Sequence, residues 1–177
     1  NNVTAAIKLL KRAENTAKGH GGLALMHKIF STLSYINLCT KNYNTALNYA
    51  EKARGMATRA NNDLWMAYSL SYIANAYSGL DMPDSNLNYL LKALKLYKHL
   101  DTESQTVLLA NISDVYCQKG DTVKSAKFIL RALKERPDSY TYTILTDLYI
   151  RQGQYQKAFD LLQKALASDD VYTREKA

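Results

Sequence analysis

Five alanines, Ala13, Ala53, Ala93, Ala132 and Ala165, recur along the chain at separations of 40, 40, 39 and 33 residues, and their surroundings recur with them. Three positions before each alanine stand Leu10, Ala50, Leu90, Ile129 and Leu162, and seven before stand Ala6, Ala46, Asn86, Ser125 and Ala158. A small, apolar, small comb at these spacings falls on one face of an α-helix. A period of this length restricts the chain to stacked copies of one supersecondary unit, since a single copy cannot bury both of its faces.

A second comb lies upstream of the first. The pairs Leu33-Ser34, Ile73-Ala74, Ile112-Ser113 and Leu145-Thr146 repeat with the same steps of 40, 39 and 33. Three residues before each pair come Phe30, Leu70, Leu109 and Tyr142; four after its apolar member come Asn37, Tyr77, Tyr116 and Tyr149. Gly120 and Gly153 mark turns, and Pro137 closes one copy. Each copy therefore reads as two helices. Small residues such as Ala74 and Ala93 allow paired helices to approach to about 8–10 Å, and Leu70, Ile73, Tyr77 and Leu90 fill the space between them.

This pattern resembles the tetratricopeptide repeat, a helix-turn-helix unit of about 34 residues. The last full copy carries the resemblance most clearly, through Tyr142, Leu145, Thr146, Tyr149, Gly153, Tyr155, Ala158, Leu162 and Ala165. Tyr stands there where Trp is usual, and Thr where Gly is usual. The earlier copies are longer and resemble the extended form found in bacterial regulators and signalling adaptors. The resemblance implies an all-α solenoid of stacked antiparallel helix pairs, a right-handed superhelix whose concave wall is lined by the first helix of each pair.

The periodicity predicts nine helices, over residues 2–18, 22–39, 43–59, 62–79, 84–99, 102–119, 122–135, 139–152 and 155–168. Pro83 with Asp84, Asp121, and the run Pro137-Asp138-Ser139 supply start signals. One array over 1–177 is expected, with units at about 1–21 (a second helix only), 22–61, 62–101, 102–138 and 139–172. Residues 171–177 read as the start of a further unit, so both ends are expected to be cut from a longer array.

Composition agrees with a packed chain. Apolar residues make up 47% of the 177, with 7 Gly and 2 Pro, which excludes a linker, a collagen or a disulfide miniprotein. Residues 64–80 lack charge but are short and carry Ser69, Ser71, Asn75 and Ser78, so they read as a buried amphipathic helix and not a membrane span. No basic start followed by an apolar core is visible in this stretch, so no signal peptide is expected in it and the segment reads as soluble. Cys39 and Cys117 lie on first-type helices two repeats apart, too far for a disulfide, and read as ordinary buried or half-buried thiols.

The net charge of +7 is unevenly placed. On the five second-type helices sixteen Lys and Arg stand against five acids, +11; on the four first-type helices three stand against four, −1. In the family geometry the outer wall is basic and the inner groove near neutral. A solvated face accounts for this more simply than phosphate or anionic-membrane contact, since no compact Lys/Arg cluster is interleaved with aromatics.

Fourteen tyrosines against 3 phenylalanines and 1 tryptophan are the other excess. Tyr77, Tyr116, Tyr142, Tyr149 and Tyr155 occupy packing positions. Tyr35, Tyr68, Tyr72 and Tyr140 fall where the family turns side chains toward the groove, and Tyr suits a binding wall because it offers a broad ring with a polar tip. Lys28, Asn75, Asn111, Asp114, Gln118, Asp147 and Arg151 are expected beside them. Asn75, Asp114 and Asp147 share one repeat position, and two acids of three argue against a clamp for a terminal carboxylate.

His20 and His27 stand seven apart with no third ligand in view, so no metal or cofactor is expected. The Gly19-His20-Gly21-Gly22 run lacks the Lys-Ser/Thr of a phosphate loop and reads as a turn. No nucleophile, base or paired-carboxylate set can be assigned, so the chain is not read as an enzyme. The expected function is a non-catalytic scaffold binding a neutral or basic peptide or helical segment in the groove. The alternative is the sensory or autoregulatory segment of a larger bacterial regulator, with an output domain elsewhere in the chain as an intramolecular partner.

Overall fold

The computed structural model describes residues 2–20 and 22–174. They form α1 (Asn2–His20), α2 (Leu23–Cys39), α3 (Tyr43–Ala60), α4 (Asp63–Gly79), α5 (Pro83–Leu94), a single 3₁₀ turn (Tyr97–His99), α6 (Thr102–Gln118), α7 (Thr122–Glu135), α8 (Ser139–Arg151) and α9 (Tyr155–Arg174). No strand occurs among the described residues. None of their helices is long and apolar enough to cross a membrane. The architecture is an all-α helical solenoid of antiparallel pairs.

Contacts divide the chain into two compact units, residues 1–99 and 100–177. In the first, α2 packs on α1, α3 and α4, and α4 on α3 and α5. In the second, α6 packs on α7 and α8, and α8 on α7 and α9. Each unit thus has an inner layer of first-type helices, α2 with α4 and α6 with α8, backed by second-type helices.

The two combs are the buried faces. Leu33, Ile73 and Ile112 have no exposed surface, nor do Ala46, Ala50, Ala53, Ala57, Ala74, Ala93, Ile129 and Ala132. Each Leu or Ile buried in this way contributes about 1.5–3 kcal/mol. The small member of the upstream pair does more than make room. Ser34 Oγ donates to the Ala46 carbonyl at 2.9 Å, and Ser113 Oγ to the Ser125 carbonyl at 2.8 Å, each tying the two helices of its pair twelve residues apart.

The turns follow from local chemistry. Asn62, Asp101, Asp121 and Asp138 cap α4, α6, α7 and α8 by accepting from the backbone N–H three residues on, and Asp138 with Thr141 forms a reciprocal box. The turn inside each pair requires a left-handed residue at one repeat position, filled by Lys41 (φ 59°), Asp81 (φ 56°), Gly120 (φ 78°) and Gly153 (φ 70°). Gly79 closes α4 where a Cβ would collide with the ring of Tyr43, so this glycine is required by a close approach.

Four expectations are corrected. The fifth helix stops at Leu94, short of residue 99, because the chain turns and buries Leu100, and His99 Nε2 lies 3.3 Å from Asp63 Oδ2 at the start of α4. Residues 171–174 do not start a new helix: α9 continues through Arg174, with no Gly or Pro after Leu166 to stop it, and 175–177 lie outside the described residues. Ala13 is exposed, and so are Tyr155 (68%) and Leu162 (44%), although all three hold packing positions. Among the described residues no helix precedes α1 and none follows α9, whereas Ile129, at the place of Leu162, lies in a helix that α8 follows. Cys39 is exposed, at the open end of α2, while Cys117 is buried.

Candidate functional site

The eleven residues expected in the groove occupy one stripe on each first-type helix, at i, i+4, i+7 and i+11. In the first unit α2 presents Lys28, Thr32, Tyr35 and Cys39, and α4 presents Tyr68, Tyr72, Asn75 and Gly79; none of these is buried. In the second unit α6 presents Val107, Asn111, Asp114 and Gln118, and α8 presents Tyr140, Ile144, Asp147 and Arg151, again with none buried. The remaining faces of the same helices carry the core residues. The stripe is therefore the accessible side of the inner layer.

In the first unit the α2 and α4 stripes enclose a cavity of about 520 Å³, lined by Lys28, Tyr35, Tyr68 and Tyr72 together with Ala24, His27, Ser31, Thr32, Leu64 and Trp65. Burial pushes the Tyr72 hydroxyl above its ordinary pKa, and the neighbouring Tyr35 and Tyr68 hydroxyls push it further. A second cavity of about 420 Å³ adjoins at Tyr35 and is lined by Leu38, Cys39, Tyr43, Asn75, Ser78 and Gly79. A hydrogen bond with the Cys39 side chain raises the pKa of the Tyr35 hydroxyl.

The sequence reading missed the floor of the larger cavity. His27 is only 7% exposed and stacks on Trp65, with ring centroids 4.9 Å apart and planes 11° from parallel. Its Nε2 lies 3.2 Å from Ser69 Oγ and 3.4 Å from Ser31 Oγ. Burial holds the imidazole below its ordinary pKa, against a backbone hydrogen bond at Trp65, so the ring is neutral at neutral pH. A signal for this was present: His27 stands at the repeat position held by the buried Ala67 and Thr106, and Ser69 at that of Ile29 and Leu108. Two polar intrusions at apolar or small positions, in consecutive repeats, are a matched pair.

In the second unit the stripe is a polar network. Tyr140 Oη donates to Asn111 Oδ1 at 2.8 Å across α6 and α8, and Gln118 Nε2 donates to Asp114 Oδ2 at 2.8 Å. Burial raises the pKa of Asp114; Arg151 pulls it down, Asp147 pushes it up, and the Gln118 bond pulls it down. Asp114, Asp147 and Arg151 are thus close enough to act on one another. Burial also raises the Tyr140 hydroxyl, with Asp114 and Asp138 adding to the shift.

Among the described side chains, the basic residues of the second-type helices outside this face are exposed, and several serve the packing. Lys52 Nζ lies 5.7 Å from the ring centre of Phe30 and 4.9 Å from that of Tyr49. Lys92 lies 4.6 Å from Tyr89, Lys124 5.1 Å from Tyr116 and Lys157 5.5 Å from Tyr149. These ammonium groups sit over aromatic faces within the range of cation–π attraction, an arrangement that supports the helices as much as it charges the surface.

Paired helices with one accessible stripe per first helix make up a helical-repeat array, and its last copy carries the tetratricopeptide signature. A family model described as the tetratricopeptide repeat matches residues 141–170. Among solved structures, BtubC (BKLC) from P. vanneervenii is similar with a TM-score of 0.82 at 19% identity, over 98% of this chain and 75% of that one. The apo form of RapI is similar with a TM-score of 0.84 at 17% identity, over 98% of this chain and 66% of that one. A Rap protein complexed with Competence and Sporulation Factor is similar with a TM-score of 0.81 at 18% identity, over 94% of this chain and 49% of that one. The chain thus spans from about half to three quarters of these proteins. No curated protein matches it by sequence.

Proposed function

We propose that the chain is a non-catalytic scaffold whose accessible inner stripes bind a peptide or helical segment of a partner protein. The observation that carries this is the cavity of about 520 Å³ in the first unit, within the size range of ligand sites and walled by Trp65 and three tyrosines. Such rings give large contact area for little loss of rotamer freedom. In the second unit two carboxylates face one guanidinium, a balance that favours a neutral or basic segment. The similarity in fold to a Rap protein solved with Competence and Sporulation Factor is in keeping with a protein-binding role.

A displayed library of random dodecapeptides is the direct test. Enrichment of neutral or basic segments is expected, with binding lost in the triple variant Tyr68→Ala, Asp114→Ala, Asp147→Ala while far-UV circular dichroism stays unchanged. Unaltered binding by that variant would overturn the assignment of the stripe.

A second reading, the sensory or autoregulatory segment of a longer bacterial regulator, draws on the partial coverage of the Rap structures. Its partner is an output domain of the same protein. Expression of the full-length gene product with and without the triple change separates the two, since only this reading expects altered output in the absence of any added peptide.

A further inference from the structure

The floor of the α2/α4 cavity carries an acceptor with no partner. Ser69 Oγ donates its single proton to the Trp65 carbonyl at 2.8 Å. With that proton committed, the contact with His27 Nε2 at 3.2 Å is satisfied when the imidazole donates, and Ser31 Oγ at 3.4 Å can accept from the same N–H. That places the proton of the neutral ring on Nε2 and leaves a bare lone pair on Nδ1. Among the described residues nothing donates to Nδ1, although the side chain is 7% exposed and lines the cavity. A buried acceptor without a donor is costly, and the cost is relieved by whatever brings an O–H or N–H to it.

The surroundings narrow the choice. Trp65, Tyr68 and Tyr72 offer ring faces and edges suited to another flat ring. Lys28, exposed and without an ion-pair partner among the described residues, disfavours a cationic side chain. Acidic residues are absent from the lining.

We propose that this cavity is the anchor subsite of the bound segment and takes a tyrosine or tryptophan side chain whose O–H or N–H donates to His27 Nδ1. The proposal rests on the peptide-binding reading and sharpens it: a donor-bearing ring is selected over phenylalanine or leucine of similar size, and over arginine.

The probes are capped dodecapeptides of Gly, Ser and Ala with one central Tyr, Trp, Phe, Leu or Arg, added to the unmodified, ¹⁵N-histidine-labelled protein. The chain has 3 histidines, so the His27 resonances are assigned by their loss in His27→Phe. Tyr and Trp peptides are expected to saturate and to shift the His27 Nδ1 signal, binding roughly three- to tenfold more tightly than Phe, the worth of one hydrogen bond. Arg is expected not to bind. In His27→Phe, which keeps a ring against Trp65, the preference for Tyr over Phe should vanish. Equal binding of Tyr and Phe by the unmodified protein, or a Tyr preference that survives His27→Phe, would overturn the anchor. The displayed library tells the two ideas apart: if it yields binders that ignore the central residue, the anchor falls and the scaffold stands, and if it yields none, both fall.

Discussion

At the scale of single residues, the accessible stripe holds groups kept at a cost to the fold. Asp114 is the clearest, since its folded-state pKa is raised above 3.8, chiefly by burial. Protonated Asp114 therefore contributes stability that is fully present below the unfolded-state pKa and lost as pH rises through the folded-state pKa. At neutral pH the ionised carboxylate is a net burden. Asp114→Asn keeps an acceptor for Gln118 and removes that charge, so its melting temperature should exceed the parent's at neutral pH, with the gain shrinking as pH is lowered toward 3.8. Thermal melts of the two proteins across that range check it, and a less stable Asn variant at neutral pH would mean that attraction to Arg151 outweighs burial. His27 teaches a different lesson about legibility. Read alone, a histidine invites a metal; read against Ala67 and Thr106 at the same repeat position, it marks a polar pocket in the inner wall. The stripe residues themselves were legible because helical spacing fixes which face they share. Their mutual hydrogen bonds, such as Tyr140 to Asn111 across two helices, were not, because partner choice depends on packing that no periodicity encodes.

At the scale of elements, both combs and the caps at Asp121 and Asp138 could be read directly, and the helix limits fall within about a turn except at the ends of α5 and α9. The turn inside each pair was only half legible. Gly120 and Gly153 announce a left-handed residue, whereas Lys41 and Asp81 adopt the same conformation without the sequence signal. A β-carbon in that region costs about 1–2 kcal/mol, less for Asp, which tolerates it, while glycine carries an entropic penalty of about 0.5–1 kcal/mol. Lys41→Gly should therefore stabilise by roughly 0.5–1 kcal/mol and Asp81→Gly by less. Urea unfolding of each variant against the parent measures the difference. Destabilisation by Lys41→Gly would show that the lysine side chain is held by contacts that outweigh its backbone conformation.

At the scale of the whole molecule, a regular period conceals where the regular helix is interrupted. The apolar pattern of the fifth helix continues past Leu94, yet the chain there gives way to a turn and one 3₁₀ turn, and the boundary between the two compact units falls after His99. Nothing in the repeat register announces this break, because the register reports which positions face a neighbour and not where a helix stops. The consequence is open to proteolysis. Cleavage requires several residues of extended backbone, so an exposed basic residue within a tight turn of a packed pair is protected by the pair it joins. Lys41 and Lys119 are of that kind, held in three-residue turns between α2 and α3 and between α6 and α7. Lys95 and Lys98 are exposed in the irregular segment next to the unit boundary, where opening need not break apart a helix pair. Brief digestion with trypsin under native conditions should therefore cut first after Lys95 or Lys98, giving two fragments whose masses identify the site. A first cut after Lys41 or Lys119 would locate the weakest cohesion inside a unit, and the repeat pair, not the two compact units, would then be the element that opens.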